Sequence, residues 1–467
     1  MGKILWKGNE VVTAINGYGP SNWTASGVSI DTRSLKKGDI FFALSGPNYD
    51  GHQFISSAIK KGASAVVSNA PSIEFNDKII IVNDVLSALI SLGRASRDRN
   101  KGKIIAITGS SGKTTVKEML ALSLRKFGKL HYSEASYNNK IGVSLSLARM
   151  PCDSDFSIYE LGMNHPGEIS FLSKLVKPNI ALINNVGNAH IGFFDSKKGI
   201  ENAKLEIIQG ITINGKILFH DQLLISESIK KTLKQKNIEI FYFGDRKDSN
   251  FSLKKYQYFL NLSLVDVLIK SLKISFNLNI PGKHMAMNSL AVIGICNELN
   301  VDLKITIKEL VKFEPIKGRG NISNYCVMGK GIKVIDESYN ANPESIMASI
   351  DLLSEINFLE SKNKIIILGD MFELGKLSKF FHSEIASVIN KSNINSVFCA
   401  GSEMLNLWNS LSIDKKGYYS INPKDIISPL IKKIKKNDII LIKGSYKSGI
   451  KIVLNSLNEE NLKRNIA

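Results

Sequence analysis

The chain has 467 residues, of which 43% are hydrophobic and 22% are charged, and its formal net charge is +19. This length predicts two to four domains, and the composition is typical of a globular protein. No apolar run approaches the roughly 18 residues that a transmembrane helix needs, so we predict no membrane span.

The first twelve residues, MGKILWKGNEVV, lack the apolar core of a secretory signal, which predicts a cytoplasmic location. The four cysteines are widely separated and form no C-x-x-C pair, so neither a disulfide framework nor a zinc site is indicated. Lysines are spread along the whole chain, and no aromatic residues interleave with their densest cluster at 432–436. A lysine-rich composition explains the net charge better than a nucleic-acid groove, and we predict no nucleic-acid partner.

Residues 1 to 101 form a first region with short apolar strands. The predicted strands are Asp39–Leu44, Ala65–Ser68 and Ile79–Val82, with helices between them. The charged segment RASRDRNKGK, from Arg94 to Lys103, predicts a linker to the next region.

Residues 102–315 open on a phosphate-binding pattern. A strand at Ile104–Ile107 runs into a Gly/Ser loop, and an amphipathic helix follows Lys113. Gly109 and Gly112 allow the backbone to approach a phosphate closely, and Thr114 offers a hydroxyl to Mg²⁺. The usual first glycine of such loops is replaced by Ile107. The alternative is a Gly/Ser turn before an ordinary helix, but the flanking strand and helix favour a nucleoside triphosphate site.

Three further residues of this region are candidates for a metal site. Glu160 ends a predicted strand, Ser157–Leu161, and a carboxylate beside a phosphate loop is well placed for Mg²⁺. His190 follows the strand Ile180–Asn184 in the loop NNVGNAH and can reach a metal or a phosphate. Lys204 is placed at a helix start, where a lysine is ordinarily a surface charge. An ammonium group cannot bind a cation unless CO₂ converts it to a carbamate. A salt-bridged glutamate and a structural histidine remain the alternatives.

Residues 316–467 alternate strands with helices. The predicted strands are Ile332–Ile335, Lys364–Leu368, Val397–Ala400 and Ile439–Ile442, and the predicted helices include Glu344–Leu353 and Ser378–Ile389. This alternation predicts a parallel sheet with binding sites at the carboxyl ends of its strands. Arg319, in the hinge GRG, can swing onto a polyphosphate, and Asp336 can accept ribose hydroxyls. An ordinary loop arginine and a bare turn are the alternatives.

Taken together, these segments resemble the Mur ligases of peptidoglycan synthesis along the whole chain. The matching motifs, in chain order, are DTR, TGSSGKTT, SYNNKIGV, ELGMNHPGEI, NNVGNAHIGFF, ENAKLEI, GRG, DESYNANPES, LGDMFELG and KGS. The resemblance implies three α/β domains: a UDP-substrate domain at 1–101, a central P-loop ATPase-like domain with a parallel sheet at 102–315, and a Rossmann-like amine domain at 316–467.

The resemblance also implies an activity. ATP would phosphorylate the terminal carboxylate of a UDP-N-acetylmuramoyl-tripeptide, and the amino group of D-alanyl-D-alanine would attack the acyl phosphate. The segments YNANP and ELGMNHPGEI resemble the branch that adds this dipeptide, and the Asp-Asn-Pro-Arg segment of the branch adding the third amino acid is absent from the sequence. A Mur ligase for a single amino acid remains an alternative, as does a P-loop ATPase acting on a macromolecule. We predict a monomer.

Site residues follow from the matched motifs. The catalytic set implied by the resemblance is Lys113, Glu160, His190, Lys204 and Arg319. Two Mg²⁺ ions would be held by Thr114, Glu160, His190 and carbamylated Lys204. ATP would contact Gly109, Ser110, Ser111, Gly112, Lys113, Thr114, Thr115, Asn288, Arg319 and Asp336. The peptide substrates would contact Asp31, Thr32, Arg33, Ser136, Asn138, Asn139, Asn340 and Asn342. The chain departs from the family pattern at Ser136, Ser144, Glu337 and Tyr446.

Overall fold

The computed structural model describes residues 3–464 except 48, 72–73, 134–135, 260–261 and 357–362. Three separate sheets, whose strands span 27–81, 103–278 and 321–443, each carry helices. The predicted α/β architecture of three units is therefore confirmed, whereas the boundaries near 101 and 315 stay a prediction. No helix within the described part of the chain is long and apolar enough to cross a membrane.

The N-terminal unit is built on a small parallel sheet. Its elements are β1 (Trp6–Lys7), α1 (Gly8–Ala14), β2 (Thr24–Ala25), β3 (Gly27–Ser29), β4 (Asp39–Phe42), β5 (Ser45–Gly46), β6 (Tyr49–Asp50), α2 (Ile55–Lys60), β7 (Ala65–Ser68), β8 (Ile79–Ile81) and α3 (Val85–Arg99). The sheet order is β3-β4-β7-β8, and all pairs are parallel. All four residues of β4 and of β7 are buried, because helices cover both faces of the sheet.

The predicted linker at Arg94–Lys103 is wrong for its first six residues, which form the last turns of α3. The helix continues because Leu92, Gly93 and Ser96 extend its buried face. The guanidinium group of Arg97 donates hydrogen bonds to the carbonyl oxygens of residues 176 and 177 of the central unit, both over 2.8 Å. The charges therefore anchor the helix to the central unit.

The central unit carries a nine-stranded sheet. Its elements are β9 (Lys103–Thr108), α4 (Lys113–Leu124), β10 (Leu130–Tyr132), α5 (Lys140–Ala148), β11 (Phe156–Glu160), α6 (Glu168–Val176), β12 (Ile180–Ile183), α7 (Lys197–Leu205), β13 (Lys216–His220), α8 (Glu227–Gln235), β14 (Glu239–Gly244), β15 (Phe251–Phe259), β16 (Leu262–Ile269), β17 (Leu272–Leu278), α9 (Lys283–Glu298) and α10 (Leu303–Leu310). The order is β10-β11-β9-β12-β13-β14-β15-β16-β17, and only the pairs β15–β16 and β16–β17 are antiparallel.

The position of β9 in this sheet determines where the candidate site lies. β9 pairs with β11 on one side and with β12 on the other, both in parallel. Glu160 is in register with Ile107, and Ile183 is in register with Thr108. The phosphate loop, Glu160 and the loop after β12 therefore emerge together at the carboxyl edge of the sheet, as parallel strands require.

The C-terminal unit contains a six-stranded sheet. Its elements are β18 (Asn321–Val327), β19 (Lys330–Glu337), α11 (Pro343–Glu355), β20 (Lys364–Gly369), α12 (Ser378–Lys391), β21 (Ser396–Ala400), α13 (Met404–Ser410), β22 (Lys416–Ser420), α14 (Ile427–Lys433), β23 (Ile439–Lys443) and α15 (Lys451–Arg464). The order is β18-β19-β23-β20-β21-β22, with β18 antiparallel and the others parallel. β20, β21 and β23 are buried along their whole length.

Candidate active site

A cleft of about 1060 Å³ lies between the central and C-terminal units. On the central side its walls are segments that follow β9, β11, β12, β13 and β14 and the first turns of α9, and on the C-terminal side they are segments that follow β19, β20 and β23. Most of these segments leave the carboxyl ends of parallel strands. The cleft thus brings two sheet edges face to face, which is where ligands bind in such folds.

The phosphate loop, residues 109–112, is supported by the loop that follows β12. The backbone amide of Ser111 donates to Asn185 Oδ1 over 2.8 Å, and the amide of Gly187 donates to Ser110 Oγ over 2.8 Å. Helix α4 begins directly after Gly112, and its first residues line the cleft. The first amides of a helix have no partner within the helix, so this end is suited to a phosphate group.

Gly112 is needed for this loop because its φ is 78°, in the left-handed region. A Cβ at this position would lie 2.5 Å from Asn184 Nδ2 and 2.8 Å from Asn288 Oδ1. A left-handed conformation costs an ordinary residue about 1–2 kcal/mol. We therefore expect Gly112→Ala to weaken ADP binding about tenfold or more, as measured by calorimetric titration.

Gly329→Ala is the matched control for this prediction. Gly329 also has a left-handed φ, 81°, but a Cβ on it would meet no other atom within 4 Å, and it does not line the cleft. This control isolates backbone strain from crowding at the loop. Equal ADP affinity in the wild type and Gly112→Ala would contradict the role of the loop, as would an equal loss in both variants.

Lys113 lies folded against the loop that precedes it. Its ammonium group donates to the carbonyl oxygen of Gly109 over 2.7 Å. Burial lowers the pKa of Lys113, the nearby Glu160 carboxylate opposes this shift, and Arg319 adds to it. Lys113, Glu160 and Arg319 thus lie close enough to interact electrostatically beside the candidate phosphate site.

Thr114 and Glu160 form a donor pair that fits Mg²⁺. Thr114 Oγ1 donates to Glu160 Oε2 over 2.8 Å, and Asn138 Nδ2 donates to Glu160 Oε1 over 2.9 Å. No group of three or more His, Cys, Asp or Glu that could hold a metal occurs among the described residues. Mg²⁺ commonly binds one or two carboxylates together with substrate phosphates, so this small oxygen set suits a Mg²⁺–nucleotide complex.

Asn288 lies behind the loop and is buried. Its Oδ1 accepts a hydrogen bond from Asn184 Nδ2 over 3.0 Å, and Asn184 also donates to the carbonyl oxygen of Ser111 over 3.1 Å. Asn288 thereby links α9 to the phosphate loop. It lines the cleft, and its predicted contact with the nucleotide stays a prediction.

His190 faces the C-terminal unit across the cleft. Its Nδ1 lies 2.6 Å from Glu373 Oε2, within ion-pair distance, and the interaction with the ring lowers the pKa of Glu373. Both residues line the cleft. The sequence reasoning placed His190 at this edge but missed Glu373, which follows β20 in the segment LGDMFELG.

Lys204 is not at a helix start, nor is it a surface residue. α7 begins after Ser196, so Lys204 lies in its last turn, and the residue is only 2% exposed. Ile200, Ala203 and Lys204 share the buried face, which explains the burial. Burial lowers the pKa of Lys204 well below its usual value, and Lys113 lowers it further. Across the described residues, the ammonium group has no hydrogen-bond or ion-pair partner.

The C-terminal wall places a cation over an aromatic ring. The Arg319 guanidinium carbon lies 4.0 Å from the centre of the Tyr339 ring, and Tyr339 Oη donates to Ser136 Oγ over 3.1 Å. Tyr339 thus connects the hinge arginine to the central unit. All three residues line the cleft: Ser136 comes from the central unit, and Arg319 and Tyr339 come from the C-terminal unit.

Asp336 is buried and does not line the cleft. Its Oδ1 accepts hydrogen bonds from the amide and the hydroxyl of Ser338, over 3.0 and 2.6 Å. Glu337, the next residue, does line the cleft, and its Oε2 accepts from Lys443 Nζ over 3.0 Å. The ribose contact of Asp336 stays a prediction.

The asparagines predicted to bind peptide divide into two groups. Asn138, Asn340 and Asn342 line the cleft, whereas Asn139 caps α5 by accepting from the amide of Gly142 over 2.9 Å. Asn342 also caps a helix, α11, through the amide of Ser345 over 2.8 Å. Capping explains these two side chains without a ligand.

Asp31, Thr32 and Arg33 follow β3 in the N-terminal unit and do not line the cleft. Arg33 pairs with Asp31 over 2.6 Å, and Lys61 Nζ donates to the carbonyl oxygen of Thr32 over 2.7 Å. Their predicted contact with the uridine end of a substrate stays a prediction.

Further cleft residues were missed by the sequence reasoning. His220 ends β13, Asp245 follows β14, and Lys283 begins α9; Lys283 Nζ donates to Asp245 Oδ2 over 2.7 Å. Each lies at or just beyond the end of an element, and each lines the cleft that contains the phosphate loop. For His220 and Asp245, a polar residue at the end of an apolar strand is the sequence signal that could have identified them.

Three family models match the chain in order. They are the Mur ligase family catalytic domain at 24–108, the Mur ligase middle domain at 107–296 and the Mur ligase glutamate ligase domain at 324–446. The UDP-N-acetylmuramoyl-tripeptide–D-alanyl-D-alanine ligase of Rickettsia prowazekii (strain Madrid E) is 34% identical over 462 residues, 96% of this chain and 98% of the relative. The chain belongs to the Mur ligase family.

Other relatives of this Mur ligase resemble it in sequence or in structure along nearly its whole length. The enzyme of the same name from Bacillus subtilis (strain 168) is 30% identical over 93% of this chain and 94% of the relative. The crystal structure of MurF from Acinetobacter baumannii has a TM-score of 0.86 at 26% identity, covering 97% of this chain and 99% of that one. MurF from Thermotoga maritima in complex with ADP has a TM-score of 0.80 at 26% identity, covering 94% and 98%.

Proposed function

We propose that this Mur ligase joins D-alanyl-D-alanine to the terminal carboxylate of UDP-N-acetylmuramoyl-tripeptide and converts ATP to ADP and phosphate. One observation carries the proposal: a single cleft holds the phosphate loop with the Thr114–Glu160 pair and, on its opposite wall, Arg319 and Asn340. The relatives that match nearly the whole chain bear this activity in their names. The structural relative from Thermotoga maritima was determined with ADP.

The three units then have separate tasks. Residues 1–101 bind the UDP end of the tripeptide substrate, 102–315 bind ATP, and 316–467 present the amine. This division follows the three sheets. A monomer in the cytoplasm remains part of the proposal, since both ATP and a nucleotide-linked peptide are available there.

The first step makes the carboxylate reactive. A carboxylate oxygen attacks the γ-phosphorus of ATP, the bond from that phosphorus to the ADP oxygen breaks, and an acyl phosphate forms. Lys113 and the amides at the start of α4 hold the phosphate oxygens while charge moves onto ADP. Arg319 approaches from the C-terminal wall and offsets the repulsion between the two anions.

Mg²⁺ would assist this first step. Thr114 and Glu160 would hold it beside the phosphates, where the ion would neutralise charge on the transferring group. Asn138 orients the carboxylate by donating to the second oxygen of Glu160 over 2.9 Å. The orienting hydrogen bond keeps Glu160 Oε2 directed towards Thr114.

The second step forms the peptide bond. The uncharged amino group of D-alanyl-D-alanine attacks the carbonyl carbon of the acyl phosphate. The bond from that carbon to the bridging oxygen breaks, phosphate leaves with the oxygen that the carboxylate supplied, and the nitrogen loses a proton. The C-terminal wall around Asn340 is the surface from which the amine would approach.

Lys204 fits a carbamate better than a free ammonium group. Its lowered pKa leaves a larger neutral fraction, and a neutral amine combines with CO₂ to give a carbamate and a proton. The resulting carboxylate-like anion would lie close to Lys113, whose charge it would offset. With His190 it would provide the second metal position that the family resemblance implies.

A panel of amines tests the function. We expect D-alanyl-D-alanine to stimulate phosphate release at least about 10²-fold over UDP-tripeptide and ATP alone, because the acyl phosphate persists until an amine arrives. Single amino acids such as D-alanine, L-lysine and diaminopimelate should give little stimulation. Phosphate release, with product mass as a check, is the measurement.

The same panel separates the alternatives. Stimulation by a single amino acid and not by the dipeptide would assign the chain to another branch of the family. Phosphate release that no amine stimulates, but that DNA or a protein partner does stimulate, would contradict the proposal that this protein is a ligase.

A further inference from the structure

We propose that Glu373 is a positioning residue: it reaches across the cleft from the C-terminal unit and fixes the orientation of the His190 ring, so that His190 is competent only when the amine-presenting wall is in place. The inference deepens the proposed function and rests on it. Three observations carry it: a direct contact, a close backbone approach and two unusual backbone conformations.

The contact joins two units that the chain connects only distantly. Glu373 Oε2 lies 2.6 Å from His190 Nδ1, and the Gly192 amide donates to the carbonyl oxygen of Glu373 over 2.8 Å. Glu373 therefore contacts His190 through its side chain, and through its backbone it contacts the short turn that follows His190, Ile191–Phe193. A carboxylate this close to one ring nitrogen favours the proton on that nitrogen and restricts the plane of the imidazole, so a small rotation of the ring would complete a hydrogen bond.

The turns approach each other too closely for side chains at the point of contact. A Cβ on Gly192 would lie 2.6 Å from the backbone nitrogen of Gly375, and a Cβ on Gly375 would lie 2.9 Å from the Gly192 Cα. The second turn, Gly375–Leu377, thus packs directly on the first. The two glycines let Glu373 and His190 meet.

Both partners also have left-handed backbones. The φ of His190 is 67° and the φ of Glu373 is 66°, which is uncommon for residues with side chains. Such conformations persist where the surrounding structure holds them, and they gather at functional sites. Here each turns its side chain towards the other across the cleft.

A second carboxylate holds the same loop of the central unit. Glu344, in the first turn of α11, accepts from the backbone amide and from Nδ2 of Asn188, both over 2.6 Å. Asn188 lies two residues before His190. The C-terminal unit therefore contacts the loop that carries Asn188 and His190 at two points. Of these two contacts, the one from Glu373 involves the imidazole ring.

The chemical consequence is that the approach of the C-terminal unit to the central unit is linked to catalysis. With Nδ1 directed at the Glu373 carboxylate, the other ring nitrogen is left for a phosphate oxygen or a cation in the cleft. When the C-terminal unit swings away, the carboxylate leaves with it and the ring loses its fixed orientation. Phosphoryl transfer is thereby favoured when the amine side of the cleft is present.

Glu373→Ala tests the inference by kinetics. We expect kcat to fall about 10–100-fold, as for other residues that orient a functional histidine, with KM for ATP and for the UDP-tripeptide within about threefold of wild type. His190→Ala should cost a similar factor, and the double variant should cost no more than the larger single effect. Glu373→Gln, which keeps an oxygen acceptor and nearly the same shape, should retain an intermediate kcat.

A spectroscopic measurement makes the test independent of ligase activity. In ¹⁵N-histidine-labelled protein, the ring signals of His190, identified by their loss in His190→Ala, should show one tautomer in the wild type and a mixture in Glu373→Ala. Glu384→Gln, an exposed glutamate on α12, is the matched control and should leave kcat and these signals unchanged.

Several results would overturn the inference: a kcat in Glu373→Ala within about twofold of wild type, fully additive effects with His190→Ala, or unchanged His190 ring signals. Failure of the amine panel, together with a single His190 tautomer in the wild type and a mixture in Glu373→Ala, would instead remove the proposed function while leaving the contact itself established. The two failures are therefore distinguishable.

Discussion

Replacing Lys113 with alanine is expected to lower kcat for phosphate release at least about 10³-fold. The side chain supplies the full positive charge beside the phosphate loop, and it is held there by the carbonyl oxygen of Gly109 at 2.7 Å. Without it, the charge that develops on the transferring phosphoryl group loses one of the cationic groups that stabilise it, and the loop amides, Arg319 and the proposed Mg²⁺ remain. The measurement is steady-state phosphate release with saturating ATP, UDP-tripeptide and D-alanyl-D-alanine.

Lys126→Ala is the matched control, because Lys126 lies just beyond the end of α4 and is exposed. It removes the same charge from the same segment and should leave kcat unchanged. Near-wild-type turnover in Lys113→Ala with intact ADP binding would contradict the assignment of the loop.

Lys204→Ala should lower kcat at least about 10²-fold, and short carboxylates such as formate or acetate should restore part of the loss. The reason is the proposed chemistry of the site: the carbamate proposed for Lys204 is an anion, and a small carboxylate can occupy the space that the side chain leaves. The measurement is kcat as a function of carboxylate concentration.

Lys198→Ala provides the control for this variant. Lys198 lies on the same helix but is exposed and paired with Glu201, so its loss should change neither kcat nor the carboxylate response. If no carboxylate restores any activity to a folded Lys204→Ala protein, the carbamate is excluded as the functional form of the side chain.

The sequence predicted the buried parallel strands well. Ala65–Ser68 agrees with the observed strand at both ends, and Lys364–Leu368 differs by one residue at its carboxyl end. Such strands are buried on both faces and read as continuous apolar runs bounded by polar residues. The antiparallel hairpins β15–β17 were not predicted, because their exposed residues dilute the apolar signal.

The sequence predicted those residues of the candidate site that stand beside a recognisable local pattern, such as an apolar strand followed by a polar loop. Lys113, Thr114 and Glu160 follow apolar strands, and the structure places them together. The burial of Lys204 depends on which face of α7 meets the core, and the pairing of Glu373 with His190 depends on how two units pack. Neither is encoded in the spacing of nearby residues, so both required the three-dimensional arrangement.

The central claim is that the cleft transfers the γ-phosphoryl group of ATP to a peptide carboxylate before the amine attacks. Labelling the terminal carboxylate of the UDP-tripeptide with a heavy oxygen isotope tests it directly. We predict that each phosphate released during ligation to D-alanyl-D-alanine carries one labelled oxygen, because the bridging oxygen of the acyl phosphate leaves with the phosphate. Unlabelled phosphate released in step with the peptide product would contradict the account.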